Sequence, residues 1–263
     1  MQKLPETNKS LGQHWLTDLS ALGDIADAAD IAPDDVIVEI GPGPGTLTHL
    51  LVRRALQVIA VEFDAKLARE LPRRVEANNL QVVTQDILSF DFSALPAGYK
   101  VVANIPYYLT SNLIRVMSES SNPPQTAVIL IQKEVAERVC AKPGDLSLLS
   151  VTAQYYWNVS LGALVPAALF TPPPKVDSQV LIMHFRSEPL FTDVDTKVFF
   201  RLVKAGFGQR RKTLLNSLSA GLHVSKTDVQ TVCEKVDIDT RRRAQTLTLE
   251  EWYSLYRALN LTT

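Results

Sequence analysis

Short apolar runs alternate with one-face apolar segments through the first half of the chain. The runs VIVEIG (36–41), QVIAVEFD (57–64), LQVVTQD (80–86), YKVVANIP (99–106) and TAVILIQ (126–132) are rich in Val and Ile. They are too short for buried helices and predict strands. Between them, helices are expected over 45–56, 65–77 and 111–119. Strands alternating with amphipathic helices imply a parallel sheet covered on both faces. Two further strand-like stretches, 161–166 and 177–185, precede RSEP, which reads as a boundary. From Asp193 onward the strand pattern stops. Segments near 194–207, 209–220, 226–235 and 248–259 read as helices, the last opening with Thr248 and Glu251 at capping-box spacing. The expected architecture is an α/β, Rossmann-like sheet domain over residues 1–190 and a small all-helical domain over 191–263.

Composition changes little in this picture. The chain has 263 residues, 46% hydrophobic and 21% charged, which is ordinary globular usage. No apolar run approaches the roughly 18 residues of a membrane helix. The start, MQKLPETNKSLGQHW, has neither the apolar core of a secretion signal nor an Arg-rich amphipathic pattern. Cys140 and Cys233 read as two reduced, buried thiols of a cytosolic protein, and His14, His49, His184 and His223 form no metal-ligand spacing. Charge is more informative. Residues 192–263 hold 12 Lys and Arg against 8 Asp and Glu, while residues 1–191 hold 15 against 20. A basic end module on an acidic body expects an anionic partner for the former.

The junction EIGPGPGTLT (39–48) joins the first strand to the first helix. Glycines at 41, 43 and 45 allow a sharp turn and a close ligand approach, at the carboxyl edge where doubly wound sheets bind ligands. The nicotinamide fingerprint is not met, because Thr46 stands where its third glycine belongs. Pro42 and Pro44 also remove two N–H groups that could hold a pyrophosphate. Glu62 ends the second strand, about 20 residues on, where a carboxylate accepts from ribose hydroxyls. Asp86 ends the third and could accept from an adenine amine. Together they describe a nucleoside site without phosphate-binding parts, which fits S-adenosylmethionine.

NIPYY (104–108) ends the fourth strand beside that site. An exocyclic adenine amine is a poor nucleophile, since its lone pair is delocalised into the ring. Asn104 is expected to face the sulfonium methyl, its side-chain oxygen and a nearby backbone carbonyl accepting the N–H bonds of the amine. That arrangement favours a more pyramidal nitrogen. Pro106 contributes no competing donor, and the Tyr107 ring can stack on a base swung out of its helix. Neither a metal nor a strong general base is needed.

With these motifs in place, the sequence resembles the KsgA-type ribosomal RNA adenine dimethyltransferases of the small subunit. The likeness runs nearly end to end: KSLGQHWL (9–16), VEIGPGPGTLT (38–48), NIPYYLTSNLI (104–114), QKEVAERV (132–139), FTPPPKVDSQV (170–180) and FGQRRKTLLNSL (207–218). The last two are the most specific. The related family that methylates large-subunit RNA for antibiotic resistance shares NIPY-type motifs but matches those two poorly. The resemblance implies a class I methyltransferase sheet, with Gln13, His14, Leu16, Gly41, Gly43, Glu62, Asp86, Ile87 and Asn104 bordering S-adenosylmethionine. It implies that Ile105, Pro106, Tyr107 and Phe170 hold the adenine, with Phe170 helping Tyr107 to sandwich it. It further implies dimethylation of two adjacent adenines near the 3′ end of small-subunit RNA, within a pre-ribosomal particle. The expected protein is a cytoplasmic monomer with no metal. Arg210, Arg211 and Lys212 in GQRRK, and the cluster TRRRA (240–244), are candidates for phosphate contacts. The chain departs from the family at His14, where Asn is usual, and in KPGDLSLLSV, which lacks the usual Tyr-Gly pair. Two other readings remain at this point: the same chemistry on large-subunit RNA or DNA, and a ribosome-assembly or transcription factor without turnover.

Overall fold

The computed structural model describes residues 4–8, 11–188 and 190–259, with the side chain of Tyr107 outside that description. It contains strands β1 (Trp15–Leu16), β2 (Val36–Ile40), β3 (Gln57–Glu62), β4 (Leu80–Thr84), β5 (Lys100–Asn104), β6 (Thr126–Gln132), β7 (Trp157–Val165), β8 (Phe170–Thr171) and β9 (Ser178–Phe185). The helices are α1 (Leu19–Ala28), α2 (Thr48–Leu51), α3 (Ala65–Val75), α4 (Thr110–Glu119), α5 (Lys133–Val139), α6 (Leu148–Tyr156), α7 (Thr196–Phe207), α8 (Leu214–Leu222), α9 (Lys226–Lys235) and α10 (Leu249–Ala258).

Seven strands form one sheet in the order β4-β3-β2-β5-β6-β9-β7. The first five are parallel, and β9 and β7 run antiparallel to their neighbours. Strand order reverses between β2 and β5, and a doubly wound sheet opens its ligand crevice at that point. Both chemical motifs of the sequence leave the sheet there. The central runs are nearly continuous in apolar residues because both faces of these strands are covered: six of the seven residues of β6 are buried. β7 lies at the sheet edge and reads as a mixed polar and apolar strand.

The structure departs from the expected elements in several places. The helix expected over 45–56 is only four residues long, because Gly45, at φ +87°, still belongs to the turn and Arg54 and Ala55 close back on Leu51. The helix expected over 209–220 begins instead at Leu214, after a turn in which the Lys212 N–H bonds the Gln209 carbonyl. Residues 1–137 with 157–185 form one compact unit, and residues 138–156 with 186–263 form the other. This differs from a single cut at 190, since α6 and the preceding loop pack with the C-terminal helices. Gly144 and Leu146 donate to the Gln245 carbonyl, and the Gln154 amide donates to the carbonyls of Val139 and Ala141. The helical unit has its own core, including Tyr155, Phe199, Leu202, Leu218 and Trp252. Cys233 is buried, whereas Cys140, expected to be buried, is only partly so; burial pushes both thiols up to about 11. Among the described residues no helix is long and apolar enough to cross a membrane, and no group of His, Cys, Asp and Glu could hold a metal ion.

Candidate active site

A cavity of about 350 Å³ opens where β2 and β5 end, within the range of small-molecule sites. Gln13, His14, Leu16, Gly41, Gly43, Glu62, Asp86, Ile87, Asn104, Ile105, Pro106 and Phe170 all line it. Arg210, Arg211 and Lys212 lie in the other unit and are exposed. The stacking expected of the Tyr107 side chain falls outside the described residues.

The glycine junction shapes one wall. Gly43 has φ +55°, and a Cβ there would stand 2.7 Å from the Trp15 ring, so this position takes only glycine without moving the indole. Its N–H donates to Oε2 of Glu62 at 3.0 Å, and the Asp64 N–H donates to Oε1 at 2.8 Å. Glu62 is buried, and that burial raises its carboxyl above the ordinary range, while the two N–H bonds offset part of the rise. The side chain is therefore held rigidly, with lone pairs left over on both oxygens. Asp86 accepts the Leu88 N–H at 2.9 Å through Oδ1 and caps a short 3₁₀ turn that begins with Ile87.

Asn104 is the last residue of β5 and pairs with Leu130 of β6. Its backbone carbonyl is 3.8 Å from where a Gly41 Cβ would stand, so the glycine junction and the strand end are in immediate contact. Among the described residues no protein group bonds its side-chain amide, which borders the cavity. Ile105 is buried beneath it.

The third wall comes from far along the chain. β1 pairs antiparallel with β8, matching Trp15 to Thr171 and Leu16 to Phe170. This two-stranded sheet carries Phe170, 4% exposed, to the cavity. His14 joins the same arrangement, its Nδ1 lying 2.7 Å from the Pro172 carbonyl. A carbonyl only accepts, so Nδ1 carries a proton in this contact. The oxygen of Gln13 is already engaged by the Asn8 N–H.

Sequence reasoning missed several lining residues, among them Trp15, Phe63, Tyr108 and Glu39. Glu39 had a signal: it is the one charged residue inside the apolar run VIVEI. It is 1% exposed, and its Oε2 and the Thr48 hydroxyl both lack hydrogen-bond partners. Burial pushes its carboxyl up to about 8; the Thr48 hydroxyl is near enough to lower it somewhat without closing a hydrogen bond, and Glu62 raises it further. An ordinary carboxyl near 4.5 ionises in the unfolded chain first. The contribution of Glu39 to stability is thus fully present below pH 4.5, falls between 4.5 and 8, and levels off above. Glu39→Gln is expected to flatten that decline by a few kcal/mol, read from ligand-free unfolding at a series of pH values. An unchanged pH slope would contradict it.

Among the described residues, the cavity lining includes the carboxylates Glu62 and Asp86 but no Lys or Arg. Such a site repels phosphates and favours a cationic ligand with hydroxyls and an aromatic base. The described residues therefore fit S-adenosylmethionine: glycines without Cβ groups, two carboxylates at strand ends, and no Lys or Arg among them.

The family described as ribosomal RNA adenine dimethylase matches residues 5–259. The chain belongs to the ribosomal RNA adenine dimethylase family. It is 43% identical over 251 residues to the protein named ribosomal RNA small subunit methyltransferase A of Dehalococcoides mccartyi, covering 94% of this chain and 86% of that one. It is also 43% identical over 258 residues to the protein of the same name from Alkaliphilus metalliredigens, covering 94% and 90%. Among solved structures, a dimethyladenosine transferase from Plasmodium falciparum superposes with a TM-score of 0.79 at 26% identity, over 92% of this chain and 96% of that one. The 23S rRNA methyltransferase ErmE does so with a TM-score of 0.74 at 28% identity, over 94% and 99%. Membership of this family and these superpositions carry the expected α/β class I methyltransferase fold.

Proposed function

We propose that the chain is an S-adenosylmethionine-dependent dimethyltransferase for the N6 amines of two adjacent adenines near the 3′ end of small-subunit rRNA. The observation that carries this reading is the acid-lined cavity in which, among the described residues, no cation appears and the Asn104 amide has no protein partner beside the glycine junction. The large-subunit alternative has one observation behind it, the likeness to ErmE. The small-subunit relatives are much closer in sequence, at 43% against 28% identity. We place the reaction in the cytoplasm, on a pre-ribosomal particle, with the protein acting as a monomer.

When bound, S-adenosylmethionine supplies an electrophilic methyl group on a sulfonium. Glu62 and Asp86 accept from its hydroxyls and adenine amine, and Gly41 and Gly43 leave room for it. Gln13, His14, Leu16 and Ile87 complete that half of the cavity. Asn104 accepts an N6–H of the target adenine through Oδ1, which localises the nitrogen lone pair and aims it. Ile105 and Pro106 border the base without offering a competing donor at Pro106. Phe170 and Tyr107 hold the ring by stacking, a contact worth about 1–3 kcal/mol per base. The sheet unit thus performs the chemistry. The helical unit neutralises phosphates, with Arg210, Arg211 and Lys212 as contacts. The TRRRA cluster is a weaker candidate than its sequence suggests, because Arg241 pairs with Asp239, and Arg242 bonds both oxygens of Glu251 at 2.5 and 2.9 Å.

Incubation with methyl-labelled S-adenosylmethionine and immature small subunits, large subunits or DNA separates the readings. The proposal expects label in small-subunit RNA alone. Label in large-subunit RNA or in DNA, or in no substrate, would overturn it.

A further inference from the structure

Between Thr196 and Thr227 there is no Asp or Glu, yet Lys197, Arg201, Lys204, Arg210, Arg211, Lys212 and Lys226 all fall there. Elsewhere in the helical unit three arginines are neutralised within the protein: Arg241 by Asp239, Arg242 by Glu251, and Arg257 by Asp193. Among the described residues no ion pair reaches Lys197, Arg201 or Lys204. The nearest acid along the chain, Asp195, caps α7 by accepting the N–H groups of Lys197 and Val198.

Spacings of four and three place Lys197, Arg201 and Lys204 on one face of α7, while Val198, Phe199, Leu202 and Val203 bury the other. Like charges at these spacings repel and cost helix stability, and a bound anion relieves that cost. α8 packs closely against α7 at one point, where a Cβ on Gly221 would stand 2.6 Å from the Ala205 Cβ. A cleft of about 510 Å³ is left beside this contact, bordered by the three cations. The groups next to them are small or neutral, including Gly208, Gln209 and Ala220. Among the described residues, no aromatic ring lines it for base stacking and no large apolar side chain lines it for a peptide.

We propose that this cleft grips the phosphodiester backbone of the RNA substrate, as a contact additional to the Arg210–Lys212 cluster. The inference rests on the rRNA reading given above. Contacts of this type fix orientation and carry no sequence information, so the adenine remains selected in the cavity of the sheet unit.

The test is the salt dependence of binding to a protein-free transcript of small-subunit rRNA, from about 50 to 200 mM salt. The variant K197A/R201A/K204A is compared with the parent, and with R53A/K66A/R69A, which removes the same charge from exposed positions of the sheet unit. Each lost phosphate contact shallows the plot of log K against log salt by about 0.7–0.9, so the cleft variant should be shallower by about 2–3. The control variant should keep the parent slope. An unchanged slope in the cleft variant, or an equal change in the control, overturns the proposal. Glutamine in place of the same three residues provides a second variant, and an unchanged thermal unfolding transition together with unchanged helical circular dichroism in either shows that the helical unit is intact. A parent that fails to methylate small subunits counts against the rRNA reading. A parent that methylates while the cleft variant keeps its slope counts against the cleft alone.

Discussion

Asn104→Ala is expected to slow methyl transfer about 10²–10³-fold, the scale of losing one preorganised group aimed at the reacting atom. The side chain ends β5 and, among the described residues, has no protein partner, so its removal orphans no buried group. Melting temperature should therefore hold, and particle binding should survive. Single-turnover rates with saturating donor, measured beside binding to immature small subunits, separate these effects. Undiminished turnover would mean that another group orients the amine.

Glu62→Gln is expected to weaken donor binding about 10- to 100-fold, measured by calorimetry. The two carboxylate oxygens accept from Gly43 and Asp64, and an amide can replace only one of them. Its NH₂ group must face an N–H, leaving at least one buried donor unmet at a cost of about 1–3 kcal/mol. The glycine junction is held by one of these bonds, so the donor site and the fold loosen together. The melting temperature should fall by about 2–4 °C for each kcal/mol lost. Parent-like affinity would show that this carboxylate does not hold the donor.

The five parallel strands were legible because each is a short run dominated by Val, Ile and other apolar residues, and a run of that length between helical patterns has few other fates. Glu62, Asp86 and Asn104 could be placed at strand ends for the same reason. Their meeting in one cavity depends on strand order, which local patterns do not encode. The pairing of β1 with β8 was invisible, since two-residue strands show no alternation. The contact between His14 and Pro172 spans 158 positions and rests on that pairing. α6 was missed because its apolar residues serve the helical unit, so its fate is set by packing with segments far along the chain. Arginines with and without an ion pair look alike in sequence, and only the structure separates Arg242, paired with Glu251, from Arg210, which has no ion pair among the described residues.

Nucleoside mass spectrometry of small-subunit rRNA from cells lacking this protein tests the central claim most directly. Two adjacent N6,N6-dimethyladenosines near the 3′ end should disappear, return with the parent gene, and stay absent with Asn104→Ala. Both modifications persisting at full occupancy without the protein would contradict it.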